Sequence, residues 1–188
     1  MIHFFTKHKV PAAALALILS AVMLTTACPS SATVLTYLEQ VTPTVVAILN
    51  LVSAFGGPAV DATQTAQITE EVANVIDLYK KFQAASASAQ PAALAQFNAA
   101  YATMQANLTE ILSTIHVADA TKQKQIQAAV AAAFLLFNQI EVLIPSNTPT
   151  PQQKTAAKAG YLYKSPTDYK TKFNHIMSDA GHAELSLK

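Results

Sequence analysis

From Thr33 onward, apolar residues recur at alternating steps of three and four, the spacing that lines up one face of an α-helix. A first series, Leu38, Val41, Val45, Ile48, Val52 and Phe55, stops at Gly56-Gly57-Pro58. A second, Ile68, Val72, Val75, Tyr79 and Phe82, opens with Asp61 or Thr63 as N-cap and fades into an alanine-rich stretch over 84–89. The third follows Pro91, a residue suited to a first helical turn, and carries Leu94, Phe97, Tyr101, Met104, Leu108, Ile111 and Ile115. The fourth carries Ile126, Val130, Ala133, Phe137, Ile140 and Ile144, with Asp119 or Thr121 as its cap and Pro145 as its stop. Nowhere does the chain alternate every second residue for long enough to suggest a strand.

Short connections between these four segments predict antiparallel neighbours. The expected fold is all-α, an up-down four-helix bundle over 34–144 with coiled-coil-like packing at shallow angles. Pro43 lies inside the first series and has no N–H for the Glu39 carbonyl, so the helix either kinks there or starts there with Thr42 as cap; the kink is the favoured expectation. The first and fourth helices are apolar beyond a narrow stripe, through Val46, Leu49 and Leu51 on one and Phe134, Leu135, Leu136, Val142 and Leu143 on the other. Such breadth suits a central, buried pair; the other reading is a contact surface for a partner, a second copy or the bilayer. Asn50 in the one, and Asn138, Gln139 and Glu141 in the other, argue against membrane spans.

Beyond the fourth helix the character changes. Pro145, Pro149 and Pro151 make 145–153 a linker. Residues 154–188 hold six lysines against three acids, whereas 29–153 hold four lysines against eight acids, so the tail is basic and the bundle acidic. Within the tail, Ser165-Pro166-Thr167-Asp168 reads as a helix start, and Tyr169, Phe173, Ile176 and Met177 as the apolar face of a short amphipathic helix. Docking back on the oppositely charged bundle is the expected fate of that face. The alternative assigns Lys164, Lys170, Lys172 and Phe173 to binding anionic lipid, a cell-wall polymer or an envelope protein.

The amino-terminal stretch has a different logic. Lys7 and Lys9 precede an apolar run from Val10 to Leu24, too short to span a bilayer comfortably and followed by small polar residues. This is the layout of an export signal, taken as 1–27, with a short tether over 28–33. Leu24-Thr25-Thr26-Ala27-Cys28 resembles the lipobox of bacterial lipoprotein precursors, in which the cysteine is lipidated and becomes the new N-terminus. The resemblance covers the signal region alone, and Thr25 stands where the family usually has leucine. It implies three acyl chains at Cys28 and a lasting attachment to the cell envelope, on a periplasmic or surface face. Cleavage after Ala27 or Ala32 without lipid would instead release a secreted chain.

Composition narrows the chemistry. In 188 residues the chain has 52% hydrophobic but only 12% charged residues, no arginine and one cysteine. That excludes wholesale disorder, an internal disulfide and a multi-cysteine zinc site, and with a formal net charge of +1 it argues against a nucleic-acid binder. No nucleophile elbow, phosphate-binding glycine loop, dinucleotide fingerprint or His-Glu-x-x-His is present. His175, Asp179 and His182 have the spacing of metal ligands on one helical face, but Gly181 interrupts the helix that would carry them. His116, after the third helix, suits a capping role, and Glu70, Glu71 and Asp77 read as solvated surface acids. The expected function is therefore a non-enzymatic, lipid-anchored envelope protein without cofactor, acting structurally or as an adaptor. The alternative is a metal- or ligand-binding or enzymatic module built on His175, Asp179 and His182.

Overall fold

In the computed structural model, the structure describes residues 31–59, 61–144 and 163–188. The signal segment, Cys28, the linker at 145–153 and the tail before Tyr163 lie outside the described residues. Five α-helices account for most of what is described: α1 (Ser31–Ala54), α2 (Ala62–Ala84), α3 (Gln90–Ser113), α4 (Ala120–Leu143) and α5 (Pro166–Asp179), followed by a single 3-10 turn at Ala183–Leu185. The fold is all-α, a bundle of helices packed on one another.

Local chemistry sets the ends of these helices. Asp61 caps α2 by accepting the Thr63 N–H at 2.8 Å, and Asp119 caps α4 by accepting the N–H groups of Thr121 and Lys122, each at 2.9 Å. The aspartates, not the neighbouring threonines, are therefore the caps. α1 runs without a break through Pro43, so no helix starts at Thr42. It ends in a Schellman motif, in which Gly56 takes φ +84° while the Gly57 N–H reaches back to the Val52 carbonyl at 2.9 Å. α5 ends the same way: Gly181 has φ +80°, and the His182 N–H donates to the Met177 carbonyl at 2.9 Å.

The apolar stripes close over one core. Val34, Leu38, Val41, Val45, Ile48 and Leu51 of α1, Phe97 and Leu108 of α3, and Ala133, Leu136 and Ile140 of α4 are all fully buried. α2 packs along α3, α1 packs along both α2 and α4, and α5 lies against α4 and α1. Successive helices are not equal neighbours, however: α3 touches α4 only lightly. There the large Tyr101 bridges the gap, donating its hydroxyl hydrogen to the Phe137 carbonyl at 2.7 Å.

α1 and α4 form the central pair, and this accounts for the breadth of their apolar faces. α4 buries one set of residues including Ile126, Phe137 and Ile140, and a second through Ala129, Ala132, Leu136 and Gln139. The second set continues the line of Gln125, whose side chain donates to the Asp179 carbonyl of α5 at 3.2 Å. By length and composition both Ala32–Ala54 and Ala120–Leu143 could cross a membrane despite their polar interruptions, but a soluble core helix meets the same measure, and half of each stretch is buried inside the bundle.

Candidate functional site

The seam between α1 and α5 brings the tail helix, with Tyr169 and Lys170, against the first helix. α5 is positioned by its first turn. Ser165 Oγ accepts the Asp168 N–H at 3.1 Å, and Asp168 Oδ2 accepts the Lys164 N–H at 3.1 Å and the Lys172 ammonium at 3.0 Å. The Lys172 hydrogen bond, followed by that from the Lys164 backbone, holds the Asp168 carboxyl below the usual aspartate range. Lys172 also lies 5.1 Å from the centre of the Tyr163 ring, a cation–π distance.

Three tyrosines fasten this seam. Tyr169 and Thr44, both fully buried, share a 2.8 Å hydrogen bond between their hydroxyls. Tyr37 donates to the Tyr163 carbonyl at 3.4 Å, and the Tyr163 and Tyr169 rings meet edge-on with centres 4.9 Å apart. Burial raises all three phenols: Tyr37 and Tyr163 are pushed up to about 12, and Tyr169 higher still. Farther along, Asn174 imitates a strand partner, accepting the Leu187 N–H at 2.7 Å and donating to the Leu187 carbonyl at 3.1 Å.

The basic-face candidates therefore separate. Phe173 is 0% exposed and serves the docking of α5, so in this arrangement it is not on offer to lipid or partner. Lys172 is engaged by Asp168 and Tyr163, whereas Lys164 is exposed and Lys170 lines a groove.

The metal-like trio does not converge. His175 Nδ1 and Asp179 Oδ2 are 2.8 Å apart on the solvent face of α5. Gly181 turns the chain away, and His182 pairs with Glu184 at 2.7 Å while its ring meets Phe55 edge-on at 5.3 Å. Among the described residues, no group of three metal-ligating side chains converges. The hydrogen bond from His182 holds the Glu184 carboxyl below its usual range.

His116 does not cap α3 in the described hydrogen bonds; the Glu110 carbonyl is met by the Thr114 N–H and the Ser113 hydroxyl, and the Ile111 carbonyl by the Thr114 hydroxyl. His116 instead lies on the rim of a cavity of about 280 Å³ floored by Leu49, Val52, Ile111 and Ile115. Of the helix acids, Glu71 accepts from Asn107 of α3 at 2.8 Å, Asp77 pairs with Lys81 at 2.7 Å, and Glu70 is exposed.

Sequence reasoning missed the groove that Lys170 lines. It has a volume of about 470 Å³ and runs between α1 and the α5 segment, with Glu39, Gln40 and Pro43 on one wall and Lys170, Leu187 and Lys188 on the other. Gln40 Nε2 donates to the Pro166 carbonyl at 3.2 Å, yet its Oε1 is buried with no hydrogen-bond partner. Pro43 leaves the Glu39 carbonyl without the donor that a regular helix would supply. The available signal was the coincidence of Pro43 with the polar residues Gln40 and Thr44 beside a buried stripe.

No family model, characterised protein or solved structure matches the chain.

Proposed function

We propose that this chain is a lipid-anchored protein of a bacterial envelope, non-enzymatic, with a helical bundle that works as an adaptor or structural element. The observation that carries the reading is the Leu24-Thr25-Thr26-Ala27-Cys28 segment placed directly after an apolar export run. The fold is compatible with a short leash. Val34 is fully buried six positions after Cys28, so at most about 20 Å of extended chain separates the sulfur from the folded body. Three acyl chains on that sulfur would bind a bilayer lastingly, because each buried methylene contributes about 0.8 kcal/mol.

The non-enzymatic part rests on how the ionisable groups are used. Among the described residues, Asp119 caps α4, Asp168 accepts from Lys164 and Lys172 at the start of α5, Glu71 links α2 to α3, and His175 and His182 make separate pairs, so each of these groups has a structural partner.

The test is fractionation of cells expressing the wild-type chain or Cys28→Ser. The wild type is expected in the membrane fraction, resistant to high salt and released by detergent. The variant is expected as an unprocessed precursor that takes up no labelled palmitate. Equal processing and equal partitioning of the two would overturn the anchor.

A further inference from the structure

We infer that His182 is a protonation-sensitive clasp, whose charged form fastens segment 183–188 over the seam of α1 and α5 and whose neutral form holds it less tightly. Gly181, at φ +80°, turns the chain out of α5, and the segment then runs back along the seam. His182 meets Phe55 just past the end of α1, whereas Leu187 and Lys188 line the groove with Glu39, Gln40 and Pro43. The segment has two fastenings. One is the pair of hydrogen bonds between Leu187 and Asn174, neither of which titrates near neutrality. The other is His182, with Nδ1 2.7 Å from Glu184 Oε1 and its ring centre 5.3 Å from that of Phe55.

Both contacts of the second fastening gain from a proton. A neutral imidazole shares one hydrogen bond with Glu184; an imidazolium makes that a charge-assisted pair and turns the contact with Phe55 into a cation–π contact. The His182 side chain is 24% exposed, against 76% for His175, so water screens its pair less than the similar one on the outer face of α5. The other charged groups around it do not reverse the sign. Lys122 of α4 lies 5.4 Å from the centre of the same Phe55 ring and opposes a second cation there, but Glu184 is in direct contact. On α5, Asp179 is paired with His175, and Asp168, Lys170 and Lys172 lie about two turns or more before it. The one charged residue of α1, Glu39, is about four turns from Phe55, and Lys188 is at the far end of the segment. Support for the segment is therefore present while His182 is protonated and is lost as pH rises.

The test is amide hydrogen exchange by NMR on the full-length chain in neutral detergent, with rates corrected for the intrinsic effect of pH. The Leu187 N–H, which donates to Asn174, reports the segment, and the N–H of the fully buried Ile140 reports the bundle. Between about pH 5.5 and about pH 8, protection at Leu187 is expected to fall about fivefold while that at Ile140 holds. His182→Gln, which keeps a hydrogen-bonding side chain but takes up no proton, is expected to abolish the fall, and His175→Gln to leave it intact. Equal protection at Leu187 at both pH values, an undiminished fall in His182→Gln, loss of the fall in His175→Gln, or a matching fall at Ile140 would each overturn the clasp. None of these outcomes depends on acylation of Cys28, so failure here and failure of the anchor remain distinguishable.

Discussion

At the scale of single residues, two adjacent glycines do different work at the end of α1. Gly56 has φ +84° with open space around it, so a side chain there costs only backbone strain, about 1 kcal/mol for alanine. At Gly57 a Cβ would lie 2.5 Å from Val52 Cγ1 and 3.0 Å from the Val52 carbonyl oxygen. The stiff Val52 side chain or the backbone beside it must shift there, and Gly57→Ala is expected to cost about 2 kcal/mol. Urea denaturation of both variants checks the order, with the lower midpoint in Gly57→Ala. The buried pair of Thr44 and Tyr169 makes a second case. Tyr169→Phe strands the Thr44 hydroxyl and is expected to cost about 1–2 kcal/mol, whereas adding Thr44→Val to it recovers part of the loss, because the unpaired group is then gone.

At the scale of elements, α5 is the informative one. A 14-residue helix is marginal alone in water, and it persists here because Tyr169, Phe173 and Met177 are buried against α1 and α4. Phe173→Ala is expected to remove about 3–5 kcal/mol of that packing, enough to release the helix. Limited trypsin digestion checks this: cleavage at Lys164, Lys170 and Lys172 should accelerate while α1 to α4 stay protected. The Asp168 carboxylate, which accepts from Lys164 and Lys172 in the first turn, adds a pH dependence whose sign is fixed. Its folded pKa lies below the unfolded value near 3.9, so its support is present above that value and is lost as pH falls through the folded pKa. Asp168→Asn should therefore shrink the difference in thermal midpoint between pH 7 and pH 3.

Periodicity made these elements legible, because burial of one face demands it. Leu38, Ile68, Phe97 and Ile126 are all in the core as the three-and-four spacing requires. Leu112 was not legible, nor were Ala132 and Gln139 on the second face of α4, although Leu136 and the breadth of that helix's apolar surface pointed to a central position. A stripe of one register does not announce that a helix has two packing partners, and alanine carries too little hydrophobicity to mark one. The groove was still less visible, since it needs Gln40 and Lys170, 130 positions apart, to be brought to facing walls by the return of α5.

At the scale of the whole molecule, the bundle is closed from outside by the tyrosine seam, and this gives it an alkaline limit. Phenols that ionise near 10 when unfolded and near 12 or above when buried contribute stability below pH 10, which is lost as pH rises through the folded values. Absorbance at 295 nm should show part of the tyrosine population resisting ionisation past pH 10, with α5 releasing as it yields. Wild-type behaviour in Tyr37→Phe would contradict that assignment.

The central claim is chemical and concerns one atom. Intact-mass analysis of the protein isolated from bacterial membranes tests it most directly. The account predicts a mature chain beginning at Cys28 and heavier than its residues by a diacylglyceryl group and an N-terminal acyl chain. A mature chain that begins elsewhere, or that begins at Cys28 with an unmodified thiol, would contradict it.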